Sequence, residues 1–177
     1  MLFGCEGDTE VAYLRALCQK LGIRGDFPKS TNGLDPLRLV ERTMHSYDED
    51  YDLVACVFDR DTHSTFDAAV AEVRNLAERK RKPVPIIAAV SQIAFELWIL
   101  LHLERTDKPF TSAGEVIDHI RRHHIADYDK ARAVEQLALI DTARAHAQWL
   151  YERYEQNGSQ GSMTTLHCLI DAIEKLL

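Results

Sequence analysis

The chain has 177 residues, 46% of them hydrophobic and 28% charged, which suits a soluble globular protein with one sizeable core. Its formal net charge of −7 at pH 7 argues against a protein that coats nucleic acid through a general positive field. The apolar runs fall short of membrane-spanning length and no basic leader precedes the first one, so the expectations are no membrane partner and a cytoplasmic location. Cys5, Cys18, Cys56 and Cys168 are too far apart for a zinc knuckle or a redox pair and read as reduced structural thiols.

Residues 1–5 form a short apolar run that predicts a strand, with Glu6 and Gly7 directly after it. Helical spacing of Val11, Leu14, Leu17, Cys18 and Leu21 predicts a first helix over 9–21, with Thr9 as N-cap and Gly22 as its stop. A short edge strand over 23–27 and a loop over 28–33 follow. Asp35-Pro36 opens a second helix that turns Leu37, Val40 and Met44 inward.

The stretch 53–63 is the centre of the pattern. Five apolar residues run without a break into Phe58-Asp59-Arg60-Asp61-Thr62-His63, as expected of a strand buried on both faces. Parallel strands present functional groups at their carboxyl ends. Asp59 and Asp61, two apart, share a face if the extended geometry lasts, about 6–7 Å from each other. If the first strand is a parallel neighbour, Glu6 joins them at the same edge. One Glu and two Asp there suit Mg²⁺ or Mn²⁺. The same acids could equally cap the helices that follow.

Ser64 or Thr65 caps a third helix that buries Phe66, Ala69, Val70, Val73, Leu76 and Ala77 and ends in the basic run 79–82. A buried strand over 84–90 ends at Ser91, and a very apolar helix over 94–103 carries Glu96, Trp98 and His102. From Gly114 onward only helical patterns remain: 114–125, 130–140, 141–156 and 163–176, the last capped by Ser162 after a loop at 157–162. Strand–helix alternation followed by helices predicts an α/β protein with a mostly parallel sheet. The division is a core over 1–110 and a helical part over 111–177 packed on it, in one globular unit.

Each accessory residue has two readings. His63 shuttles a proton or touches phosphate, or is a solvated loop histidine. Glu96 completes the site as ligand or base, or accepts a backbone hydrogen bond near the Ser91 loop. Arg60 reads as a structural ion-pair partner, and His102 and Trp98 as core. Glu10 complements a helix dipole, with a second ligand role left open. The basic run 79–82 is a solvated helix end or a nucleic-acid contact, as is 121–124. His123 and His124 are adjacent and diverge on a helix, a poor metal pair. Lys130 is a candidate substrate contact.

Together, the Cys5-Glu6-Gly7 strand end, the Thr9-Glu10 helix start, the Phe58–His63 motif and the helix motif running Phe95-Glu96-Leu97-Trp98 through His102 resemble the RloB-like proteins. Thr164-Thr165-Leu166-His167 sits where that family has a similar segment. The resemblance implies a Toprim-like fold with a metal site of Glu6, Asp59 and Asp61, holding Mg²⁺ or Mn²⁺. It further implies a metal-dependent nuclease of phage defence, with RNA a better expectation than DNA for its substrate and with Glu96 and His63 as accessory groups. An ATPase partner is implied by the family's gene neighbourhoods, and a homo-oligomer is left open. Two other functions stand beside it: a catalytically weak interaction module serving that ATPase, and a phosphotransfer enzyme acting on a small nucleotide. The latter lacks a glycine-rich phosphate loop.

Overall fold

The computed structural model describes residues 1–28, 34–60, 63–79 and 84–177. Asp61, most of the 28–33 loop and the basic run at 79–82 lie outside the described positions and side chains. Three strands, β1 (Leu2–Cys5), β2 (Val54–Asp59) and β3 (Ile86–Ser91), form a parallel sheet in the order β1-β2-β3. The architecture is α/β, with an all-helical C-terminal part, as the alternation of patterns predicts. Leu2 pairs with Val54 and Cys5 with Val57, so β1 and β2 end together.

The period-2 alternation of the strands sends side chains into two cores. Phe3, Cys5, Ala55, Val57 and Ala89 face α1 (Asp8–Leu21), α4 (Glu96–Leu103) and the C-terminal helices. Leu2, Val54, Cys56, Phe58 and Val90 face α2 (Pro36–His45) and α3 (Phe66–Arg79). Helices cover both faces, which is why these strands carry nearly unbroken apolar runs. Gly4 allows the closest approach: a Cβ there would stand 1.8 Å from Thr43 Oγ1 of α2.

The C-terminal part comprises α5 (Ala113–His123), a 3-10 helix (Lys130–Leu139), α6 (Ile140–Gln156) and α7 (Leu166–Glu174). Its buried Val116, Ile120, Ala143, Ala147 and Leu169 share one core with Tyr13 and Trp98. Thr164 bridges Ser91 antiparallel, and Thr165 N–H donates to Val90 O at 2.8 Å, tying this part to β3.

Several local expectations need correction. The cap of α1 is extended Gly7, not Thr9, because the helix starts one residue earlier at Asp8. Residues 23–27 form a single parallel bridge, Leu2 with Asp26, since Phe3 and Met1 offer the edge only two backbone bonds there. In α2, Leu39, Val40 and Thr43 are buried, while Leu37 and Met44 are only half-buried. Ala77 of α3 is exposed, beyond the stretch that meets the sheet. Ser162 does not cap α7: its hydroxyl donates to Lys108 O at 2.9 Å and accepts from Phe110 N–H at 3.2 Å. The helix expected at 130–140 has 3-10 geometry, which its α-favouring composition does not explain. Other expectations stand: Gly22 is left-handed at φ 69°, Asp35 accepts from Leu37 and Arg38 N–H, and Trp98 is fully buried. All four cysteines are free, three buried and Cys168 exposed.

Candidate functional site

At the carboxyl edge of the sheet, the ends of β1 and β2 meet the starts of α1 and α4. Glu6 N–H donates to Val57 O at 3.1 Å, which extends the β1–β2 pairing one step. The Glu6 carboxylate then turns across: its Oε2 accepts from Asp59 N–H at 3.1 Å. The side chain of Asp59 is held from the other direction, its Oδ2 accepting from Phe95 N–H at 2.9 Å, just before α4. Glu6 and Asp59, 53 positions apart in the chain, are thereby brought together by the parallel register.

Two further buried acids join the edge. Glu10, in the first turn of α1, is 6% exposed, and Glu96, opening α4, is 1% exposed. Gly7 makes room for the first: a Cβ there would lie 2.7 Å from Glu10 Oε2. Glu96 finds its counter-charge in the C-terminal part, where Lys130 Nζ stands 2.8 Å from Oε1. A cleft of about 440 Å³ opens between these groups, lined by Glu6, Glu10, Asp59, Glu96 and Lys130 together with Gly7, Asp8, Thr9, Ile93, Ala94 and Ala113. Among the described residues that line it, Lys130 is the only cation.

Five acids, with Asp8 the exposed one, line the cleft beside one ammonium, and burial distorts proton affinities there. Burial pushes Glu10 up to about 7; the carboxylates of Glu96 and Glu6 add to this, and its own backbone amide and Lys130 offset part of it. Burial, then Glu10, holds Asp59 well above the usual carboxylate range, against the Phe95 amide that favours its charged form. Burial opposes the Lys130 charge, but Glu96 outweighs it and the lysine ends above its ordinary value. Clustered buried carboxylates of this kind favour a bound cation, which would relieve both desolvation and mutual repulsion. The donor set, carboxylate oxygens alone, fits a hard divalent ion. Among the described residues, however, these acids do not bring three ligand atoms within 4.8 Å of one another.

His63 Nε2 lies 3.4 Å from Glu6 Oε1, so the histidine borders the site behind Glu6. Glu96 is in the cleft, and its partner is Lys130 rather than backbone near Ser91. Arg60 turns away, with both Asp67 carboxylate oxygens 2.8 Å from its Nη2 and its guanidinium over Phe66. His102 is core: Nε2 is 2.7 Å from Tyr13 Oη and Nδ1 is 2.8 Å from Trp98 O. Sequence reasoning undervalued Glu10. Its signal was Gly7 three residues earlier, the spacing at which a capping glycine lets a glutamate fold back over a helix start. Lys130 is brought to the cleft by tertiary packing alone.

The model of one family, described as RloB-like protein, matches residues 1–173, nearly the whole chain and every element of this site. The chain belongs to the RloB-like family. Neither a curated protein nor a solved structure matches it.

Proposed function

We propose that this RloB-like chain is a divalent-metal-dependent nuclease that hydrolyses phosphodiesters in antiviral defence, with RNA favoured over DNA as its substrate by the family resemblance alone. The observation that carries the reading is the convergence of Glu6, Glu10, Asp59 and Glu96 on one cleft at the carboxyl edge of a parallel sheet. Glu6 and Asp59, with Asp61 by resemblance, would hold Mg²⁺ or Mn²⁺. Such an ion, when bound, neutralises charge on phosphoryl oxygens and acidifies a bound water.

The remaining work falls to the chain itself. The Phe95 amide and the Asp59 amide fix the Asp59 and Glu6 carboxylates in place, so little reorganisation is needed on binding. Glu10, with its proton affinity near neutrality, can hold or release a proton at its carboxyl during turnover. His63 offers a second proton-carrying group beside Glu6. Lys130, 58% exposed at its side chain, supplies positive charge where an incoming phosphate would pass an otherwise repulsive rim.

A second reading, a catalytically weak module held by an ATPase partner, draws on one observation: the described acids fall short of a three-ligand cluster. Incubation with RNA and with DNA, in Mn²⁺ or in EDTA, separates the two. Cleavage that needs Mn²⁺ and disappears in Asp59→Ala supports the nuclease. A folded protein that cleaves neither polymer under any metal, yet co-purifies with an ATPase, refutes it in favour of the module.

A further inference from the structure

Away from the acidic cleft, a second group of ligating side chains joins α4 to α5. Glu104, which ends α4, presents Oε1 to His119 Nε2 at 2.8 Å and Oε2 to His124 Nε2 at 2.9 Å. One ligand atom from each residue lies within 4.8 Å of the others. The side chains are 29%, 14% and 21% exposed, respectively, so they are sheltered but reachable.

Local backbone geometry creates this meeting. His119 and His124 are five apart, which on an unbroken helix puts them roughly 140° from each other. The helix stops at His123, and His124 leaves helical geometry at φ −132°, ψ −59°. Its ring thereby reaches the same carboxylate as His119. The adjacent pair His123 and His124 diverges, as the sequence implies, and the break makes a different pair. The His119 ring meets Phe110 edge-on at 5.5 Å and lies tilted against His123 at 4.4 Å between centroids.

We propose that Glu104, His119 and His124 bind a borderline-soft divalent transition ion, zinc first among them, independently of the acidic cleft. Two imidazoles and one carboxylate are a zinc donor set and a poor one for Mg²⁺. Donors at about 2.1 Å from one ion stand at most about 4.2 Å apart. The two observed nitrogen–oxygen separations are already shorter than that, so small side-chain rotations close the set. Each Nε2 must be free of its proton, which the ring then carries on Nδ1. Competing neighbours are engaged elsewhere: Asp118 faces Arg121 and Arg122 at 3.9 Å, and Glu115 accepts from the Thr111 amide and hydroxyl. A hollow of about 220 Å³ lies on the other side of His119, lined also by Lys108, Glu115, Asp118, Arg122 and His123. Bound zinc staples the end of α4 to α5.

The test uses the full chain, stripped with EDTA and titrated with Zn²⁺ against a chromogenic chelator in excess Mg²⁺. One tightly held equivalent is expected, and Co²⁺ in its place should give the visible bands of a tetrahedral site. His119→Ala and His124→Ala should each weaken Zn²⁺ by more than the ~10–100-fold typical of losing an outer-shell partner. Asp59→Asn should leave it unchanged, which keeps this site's test separate from that of the nuclease. His124 sits at an exposed helix end, so its variant folds; Zn²⁺ should raise the melting temperature of the parent and not of His124→Ala. Zinc affinity that is equal in parent and both histidine variants, or that vanishes with Asp59→Asn instead, overturns the proposal.

Discussion

Replacing Glu10 by Gln in metal-free buffer isolates the electrostatic cost of the cleft. The Glu10 carboxyl has its proton affinity raised from 4.5 to about 7 on folding, mainly by burial. At about 1.4 kcal/mol for each tenfold change in proton affinity, this is about 3 kcal/mol. The sign follows from linkage: between pH 4.5 and 7 the folded chain holds a proton that the unfolded chain has lost, so stability falls as pH rises through that window. Gln stays neutral and escapes this loss. Glu10→Gln should therefore match the parent near pH 4.5 and exceed it near pH 8. For a chain of this size, about 3 kcal/mol amounts to roughly 6–12 °C in melting temperature. His102 acts in the opposite direction in an overlapping range, but it is common to both proteins and cancels in the difference. Thermal melts of both proteins in EDTA, in steps from pH 4.5 to 8, give the measurement. A difference in melting temperature that is flat across the range would falsify the account of a strained acidic cleft. Adding Mn²⁺ at pH 8 should stabilise the parent more than the variant.

Other consequences can be checked alongside it. His102, lowered from 6.5 to about 4 by burial, loses stability for the fold as pH falls through that interval, so His102→Gln should flatten the acid limb of the melting profile. Gly4→Ala should destabilise by about 1–3 kcal/mol or more in urea titration, since its methyl meets Thr43; combining it with Thr43→Ser, which keeps the hydroxyl, should recover little, and with Thr43→Gly most. Lys130→Met leaves Glu96 buried without its cation. The loss should be about 1–2 kcal/mol, discounted because the lysine is mostly solvent-exposed, and Glu96→Gln in the same chain should restore most of it.

The fold was legible where a single chemical pattern governs a whole element. The apolar runs of β2 and β3 could only be strands covered on both faces, and Pro36 after Asp35 could only begin a helix. Glu6 and Asp59 were paired correctly because parallel register follows from strands that need helical crossovers. What sequence left open depended on distant packing. Lys130 reaches Glu96 from 34 positions away, and Ser162 is drawn off by Lys108 and Phe110 rather than left to cap a helix. His119 and His124 were hidden by a helix break that no residue in 119–124 announces, since neither glycine nor proline marks it.

The position of Lys130 has a bearing on how the molecule is divided. Among the described lining residues, positions 1–110 contribute carboxylates and no ammonium to the cleft; the balancing charge arrives on the far half of the chain. A protein cut after the α/β half would thus carry an unneutralised acidic mouth that repels polyanions. The helices beyond it are, in this sense, the half that makes the mouth approachable.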